Sequence, residues 1–118
     1  MANVAAAPVS TLAASEREVV LATSDVWASI GRLRSGMGDG AGAVGALDRA
    51  IALNENNVGA LAAAGAVFVS RRDGASAIPL LRRAVDLAPR HVDAWSSLGT
   101  ATTLTNMVGD AFSAFQTA

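Results

Sequence analysis

The sequence contains no cysteine, and its aromatic residues are limited to two Trp and three Phe. Without cysteine, disulfide frameworks, cysteine-ligated metals and thiol catalysis are excluded. The longest uncharged apolar run, residues 59–69, is far shorter than the roughly 20 residues that cross a bilayer. No basic side chain precedes Arg17, so no secretory signal is predicted. We therefore expect a soluble, intracellular protein.

Lysine is also absent, and nine arginines face ten acidic residues, which gives a net charge of −1. Such a balance provides no basic field for phosphate backbones or anionic lipids, so we expect neither direct nucleic-acid binding nor membrane binding. The single histidine, His91, stands beside Pro89 in a predicted loop, and no nucleophile with a base and an orienting group can be assembled. Gly36-x-Gly38-x-Gly40 follows a helix rather than a strand, which excludes a phosphate-binding loop. We predict no enzymatic activity, cofactor or metal.

Hydrophobic residues make up 52% of the chain although aromatics are scarce, and the excess is largely alanine. Alanine favours helices and lets them approach closely, so we expect an all-α fold in one domain.

A shift of 34 residues superposes like residues along most of the chain. The superposed sets are Trp27, Leu61, Trp95; Gly31, Gly65, Gly99; Ala43, Ala77, Ala111; Leu47, Leu81, Phe115; and Ala50, Ala84, Ala118. Small residues are expected where helices cross, with the larger ones filling the space between them. This period and order of residues resembles the tetratricopeptide repeat, a helix-turn-helix unit that stacks into a right-handed superhelix.

The resemblance implies three helix-turn-helix units at 24–57, 58–91 and 92–118, the last one truncated. The predicted helix pairs are 25–37 with 41–53, 58–71 with 75–87, and 92–105 with 108–118, divided at Gly38-Asp39-Gly40, Asp73-Gly74 and Asn106. A flexible arm is expected at 1–15 and the repeat domain at 16–118. Ser15-Glu16-Arg17-Glu18 has the form of a capping box, so one helix could run from there with Val19, Val20, Thr23, Trp27 and Ile30 on one stripe; alternatively, a separate helix begins after Ser24.

In tetratricopeptide repeats the first helices line the binding groove. The corresponding residues here are Ala28, Ser29, Arg32, Ser35, Ala62, Ala63, Ala66, Val69, Ser96, Ser97, Thr100 and Thr103. Only Arg32 could hold a carboxylate, so a carboxylate clamp is disfavoured. A groove of small side chains suits an amphipathic helix laid in by its apolar side. Equally, these small residues could serve only to permit tight stacking.

A closer resemblance is to the opening repeats of the tetratricopeptide subunit of the fungal general transcriptional corepressor. It rests on Trp27-x-x-Ile30-Gly31-x-Leu33, Met37-Gly38-Asp39, Ala46-Leu47-x-x-Ala50-Ile51, Asp93-x-Trp95-x-x-Leu98-Gly99 and Asp110-Ala111-x-x-Ala114-Phe115-Gln116. It implies a non-catalytic nuclear scaffold that docks a coiled-coil helix of a WD-repeat partner. The alternatives are a substrate-recognition repeat module of a larger enzyme and a cytoplasmic bacterial adaptor. Self-association through the uncovered last helix is a further expectation.

Overall fold

The computed structural model describes residues 13–117, and describes their side chains as far as residue 107. Its five helices are α1 (Ala14–Gly36), α2 (Gly40–Leu53), α3 (Val58–Ser70), α4 (Gly74–Leu87) and α5 (Val92–Thr117). Within this range there is no strand, so the prediction of an all-α chain is confirmed. Most of the predicted N-terminal arm lies outside the described residues, but Ala14 and Ser15 already belong to α1.

The helices pack in two layers. Each helix contacts the next one along the chain, and α3 also contacts α1 and α5 on its two sides, which leaves α2 and α4 as the second layer. Because the connections are short, neighbouring helices run antiparallel, as in αα-hairpins. The hairpins α1–α2 and α3–α4 are thus stacked against each other, and α5 packs on the second of them.

Within each of the two hairpins, a glycine of the first helix packs against a leucine of the second. A Cβ built on Gly31 would lie 2.5 Å from Leu47 Cγ, and one built on Gly65 would overlap Leu81 Cγ in the same way. Both leucines are fully buried. Each pair lies 34 residues from the other, so the sequence period is also a period of the packing. Glycine is required at both positions because the leucine fills the place of a side chain.

The turns within the hairpins repeat as well. Asp39 Oδ1 accepts a hydrogen bond of 2.9 Å from Gly42 N, and Asp73 Oδ1 accepts one of 3.1 Å from Ser76 N. These carboxylates cap α2 and α4 by satisfying free N–H groups of the first turn. The Ser76 hydroxyl, and then its backbone N–H, hold the pKa of Asp73 below the ordinary value of an aspartate.

The predicted third hairpin is wrong, because α5 runs without a break through Asn106 to Thr117. The capping aspartate of the first two turns is replaced by Met107, and the glycine that follows it is replaced by Val108. A methionine offers no oxygen to the first N–H groups of a new helix, and valine cannot relieve the backbone as glycine can. The helix that is already formed therefore continues.

The start of the first helix also differs from the predicted capping box. The N-cap of α1 is Ala13, which makes no side-chain cap, and Ser15 already lies inside the helix. The helix then continues past Ser24, as one of the two alternatives predicted. Ser24 is buried instead of capping a helix: its Oγ donates to Ala50 O at 2.7 Å and accepts from Asn57 Nδ2 at 2.9 Å. The hydroxyl thus joins α1 to both neighbouring helices.

Candidate partner-binding surfaces

The residues predicted to line the groove lie on the layer formed by α1, α3 and α5, but they do not all reach its surface. Ser29, Arg32, Ser35, Ala66, Ser96, Thr100 and Thr103 are exposed, and Ala63, Val69 and Ser97 are half-buried. Ala28 and Ala62 are buried in the core, so these two predicted groove residues present little surface to a partner. Their methyl groups are covered because neighbouring helices approach closely at these positions.

Several polar side chains of this layer form hydrogen bonds within the protein. Three of its hydroxyls donate to backbone carbonyls one turn earlier in the same helix: Ser29 Oγ to Asp25 O (3.0 Å), Thr100 Oγ1 to Ser96 O (3.1 Å) and Thr103 Oγ1 to Gly99 O (3.0 Å). A hydroxyl that bonds back to its own helix leaves little directional donor capacity for a ligand. The layer is therefore a smooth surface of methyl groups and of hydroxyls that are hydrogen-bonded to the backbone of their own helix.

Arg32 provides positive charge at the junction of α1 and α3. Its Nη2 donates to Ser29 Oγ at 3.2 Å, and its Nη1 would lie 3.0 Å from a Cβ built on Gly59. Close by, Asn57 Nδ2 donates to Asp25 Oδ1 at 3.1 Å, while Asn57 Oδ1 caps α3 by accepting from Ala60 N at 3.1 Å. These bonds hold α1 and α3 in a defined arrangement, so the surface above them is preorganised.

A second surface lies on the opposite side of α1, facing away from the core. Val19, Val26, Leu33 and Met37 are 65%, 58%, 66% and 73% exposed there, and Ile30 beside them is half-buried. With Thr23 they form two rows of seven-residue spacing, Val19-Val26-Leu33 and Thr23-Ile30-Met37, which we call the outer stripe. Rows three and four residues apart are the seam positions of a coiled coil.

The outer stripe was not identified from the sequence, although its heptad spacing is visible there. The expected single stripe with Val19, Val20, Thr23, Trp27 and Ile30 is divided in the structure. Trp27 packs against the core, with the guanidinium of Arg49 4.9 Å from its ring centroid, while Val19 is exposed on the outer stripe. The core side of α1 has small buried residues, Ser24, Ala28 and Gly31. Apart from Trp27, the core face of α1 therefore consists of small residues, while Val19, Val26 and Leu33 face solvent.

A third apolar surface lies on α5. Trp95, which the repeat aligns with the buried Leu61, is 50% exposed, and its Nε1 donates to Pro89 O at 2.8 Å. A Cβ built on Gly99 would meet no atom within 4 Å, unlike those on Gly31 and Gly65. Among residues 13–117, no second helix covers this face of α5, because α5 does not turn back at Asn106.

In the described part of the chain, no group of three His, Cys, Asp or Glu side chains could hold a metal ion. His91 is the N-cap of α5, since its Nδ1 accepts from Ala94 N at 3.0 Å. Among residues 13–117, no helix has both the length and the apolar character needed to cross a membrane.

No protein-family model matches the chain, and no curated protein matches it at a significant level. Its own residues and their geometry are what indicate a function. They define a stacked-hairpin helical protein with a smooth layer on α1, α3 and α5 and an apolar stripe on the outside of α1.

Proposed function

We propose that this protein is a non-catalytic scaffold of tetratricopeptide-type hairpins, stacked in a right-handed superhelix, which binds a coiled-coil helix of a protein partner. The observation that carries the proposal is the outer stripe of α1. Four large apolar side chains at coiled-coil spacing are held in water there, although the opposite face of the same helix already supplies the core. Contiguous apolar surface of this kind marks interaction sites in soluble proteins.

The stripe has the form that a helical partner requires. Val19, Val26 and Leu33 supply one row of seam residues, and Ile30 and Met37 supply the other. Knobs from a partner helix with the same heptad repeat would enter the holes between these side chains. A shallow depression of about 340 Å³ between Val26, Ile30 and Leu33, bordered by Asp25 and Ser29, lies at the middle of the seam. This depression is where a central leucine of the partner would pack.

The charges of α1 can set the orientation of a partner helix. Its first half carries Glu16, Arg17, Glu18 and Asp25, and its second half carries Arg32 and Arg34. The first half is therefore net negative and the second net positive. A partner helix of the same polarity, acidic first and basic last, places unlike charges opposite each other only when it runs antiparallel. Charge of this type contributes to orientation and association rate more than to affinity.

The layer of α1, α3 and α5 is the other surface available to the same kind of partner. The resemblance to the corepressor subunit supports a nuclear role in which a WD-repeat protein supplies the coiled-coil helix. Nothing in this proposal requires direct contact with nucleic acid or membrane. Both surfaces include α1, so substitutions on its opposite sides separate them.

The experiment measures fluorescence anisotropy of a labelled three-heptad peptide with leucine at both seam positions, acidic residues in its first half and basic residues in its second. We expect Val26→Asp or Leu33→Glu to weaken binding about tenfold or more, since each removes a buried apolar contact and tenfold corresponds to about 1.4 kcal/mol. Val92→Asp is the matched control, because Val92 is an exposed apolar residue of α5 outside the outer stripe.

The alternative surface is tested by Ala63→Arg and Arg32→Glu. If these two weaken binding while Val26→Asp does not, the partner occupies the layer of α1, α3 and α5 instead of the outer stripe. A protein that binds neither the designed peptide nor any helix of the same heptad pattern would contradict the proposed function. Replacing the charged residues of the peptide by glutamine should weaken binding at low salt, and this difference should fade at high salt.

A further inference from the structure

The outer stripe of α1 is symmetric about the middle of the helix. Its six residues form three pairs, and the members of each pair are equally distant from Ala28 along the sequence: Val19 with Met37, Thr23 with Leu33, and Val26 with Ile30. Each pair takes one residue from each of the two rows. Two copies of α1 that run antiparallel and cross at the level of Ala28 therefore form layers in which every seam residue faces a seam residue of the other copy.

The layers formed in this way are apolar. Five of the six seam residues are Val, Leu, Ile or Met, and Thr23 is the one polar member. The Oγ1 of Thr23 donates to Val19 O at 2.7 Å, so its hydroxyl is already hydrogen-bonded within its own helix. A layer of Thr23 against Leu33 of a second copy thus buries a methyl group and leaves no hydroxyl unsatisfied.

The charges of α1 match a second copy in the antiparallel orientation. Three of the four charged side chains in its first half are acidic, and both in its second half, Arg32 and Arg34, are basic. Because the two helices of such a pair have the same sequence, antiparallel pairing sets acidic halves beside basic halves, whereas parallel pairing sets like charges side by side. Arg34 then lies about one turn, roughly 5 Å, along the axis from Glu18 and Asp25 of the second copy. The stripe is self-complementary, as a two-fold interface requires.

The beginning of α1 gains packing from this arrangement. Ser24 is the point where α1 bonds to Ala50 of α2 and to Asn57 at the start of α3. Residues 14–19 lie at least five residues before that point, and every one of them is exposed. A short stretch of helix without a packed face is marginal in water. In the antiparallel pair, Met37 of the second copy packs on Val19 within this stretch.

We propose that two copies of this chain pair through their outer stripes, as an antiparallel coiled coil of α1 with α1 centred on Ala28. The inference rests on the proposed function, because it takes the outer stripe to be a docking site for a helix, and it names the helix that occupies the site when no other partner is bound. The dimer covers the stripe, so a partner helix binds by displacing the second copy. Self-pairing thus regulates access to the site.

Sedimentation equilibrium over a range of concentrations measures the pairing. We expect the natural sequence to dimerise and Val26→Asp to raise the dissociation constant of the dimer about tenfold or more, since two carboxylates would be buried in each dimer. Val92→Asp is the matched control and should dimerise like the natural protein, because Val92 is exposed on α5. A natural sequence that stays monomeric at its highest soluble concentration would overturn the proposal, as would a Val26→Asp variant that dimerises equally well.

The charge contribution is measured in the same way. Arg32→Glu together with Arg34→Glu makes both halves of α1 acidic, so the dimer should be weaker at low salt, and the difference from the natural protein should fade at high salt. A double variant that dimerises as tightly as the natural protein at low salt would contradict pairing of the acidic half with the basic half.

Cross-linking tests the orientation, because the sequence contains no cysteine of its own. Val19→Cys and Met37→Cys are made in separate chains and mixed, which places two thiols in one layer of the antiparallel pair, and a short bis-maleimide should join them. In either variant alone the two thiols of an antiparallel pair lie 18 residues apart along the axis, about 27 Å, and should not be joined. Gly45→Cys mixed with Met37→Cys measures random collision, since Gly45 is exposed on α2. Efficient cross-linking of Val19→Cys alone, or a mixture that reacts no better than the collision control, would overturn the proposal.

The three-heptad peptide separates this inference from the proposed function. An excess of the peptide should lower the yield of the cross-link between positions 19 and 37 and shift the sedimenting species to a monomer that carries one peptide. A peptide that binds without reducing the dimer would overturn self-pairing through the outer stripe and leave the proposed function standing. A protein that dimerises in this register but binds no such peptide would support self-pairing and contradict the proposed function.

Discussion

A single methyl group added at Gly74 should measurably lower the free energy of unfolding. Gly74 is the first residue of α4, and a Cβ built on it would lie 2.5 Å from Ala101 O and 2.7 Å from Thr105 Oγ1 of α5. A carbonyl oxygen of a helix backbone cannot rotate away as the end of a side chain can, so α4 and α5 must separate. Gly74→Ala should therefore weaken the packing of α5 on the second hairpin.

The magnitude follows from two opposed effects. Overpacking of this kind costs about 1–3 kcal/mol, whereas replacing a helical glycine by alanine gains up to about 1 kcal/mol from helix propensity. Gly40 isolates the second effect: it holds the same place in the first hairpin, and its Cβ would meet only Arg71 Cδ, at 3.7 Å. Subtracting one variant from the other removes the propensity gain and leaves a difference of about 1–3 kcal/mol.

Urea unfolding followed by far-ultraviolet circular dichroism gives the free energy of unfolding of each variant, with all proteins at one concentration. We expect Gly40→Ala to be as stable as the natural protein or more stable, and Gly74→Ala to be less stable than Gly40→Ala. At about 4 °C per kcal/mol, the melting temperatures should differ by about 4–12 °C. Equal shifts for both variants would refute the close approach of α4 to α5.

Three further outcomes are expected. Asn57→Ala should lower the free energy of unfolding by about 1–3 kcal/mol, because it removes the α3 cap and the bonds to Ser24 and Asp25, and an unchanged stability would show that this network contributes nothing. Gly45→Ala should raise the free energy of unfolding by up to about 1 kcal/mol, because no atom is near the added methyl group. A lower melting temperature in thermal unfolding would contradict this. Because the pKa of Asp73 is lowered on folding, its cap stabilises the protein above the pKa of an unfolded aspartate, and this contribution is lost as the pH falls through the lowered folded pKa. Asp73→Asn, which keeps an acceptor but does not titrate, should flatten that part of the stability–pH curve, and an identical curve would contradict this origin.

Much of the fold could be predicted because its determinants are local or repeat along the chain. Asp39 and Asp73 mark helix starts whatever the rest of the chain does, since a carboxylate caps the N–H groups just after it. Gly31 and Gly65 mark helix crossings because they recur with Leu47 and Leu81 at the same offset. These residues correctly predicted α2, α3 and α4 to within a residue or two.

The predicted third hairpin was wrong because it relied on the 34-residue period and not on the residues at the turn. Ala111 and Phe115 continue the repeat, but Met107 and Val108 do not form a turn. A repeat pattern describes which faces should pack, and only the turn residues decide whether the chain reverses to let them do so. The second half of α5 therefore has the repeat spacing of a hairpin's second helix, but it does not fold back on the first half.

The binding surfaces were the least predictable part. The repeat placed Ala28 and Ala62 in a groove, yet both are buried, because helix spacing rather than residue type determines what solvent reaches. On α1 the stripe expected from the sequence is divided, because Trp27 packs against the core while Val19 faces solvent. Most of the core face consists of small residues, where α2 and α3 approach, and Val26 and Leu33 lie outside.

The sequence by itself determined the helical class, the 34-residue register and the start of each helix that has a capping side chain, because these depend on neighbours a few residues apart or on a pattern that repeats. Only the tertiary structure decided which of the two apolar faces of α1 packs in the core. It alone also decided that no described residue packs over Gly99 on α5. Both outcomes depend on contacts between distant segments, and a helix with two apolar faces carries no internal mark of which one another helix will cover.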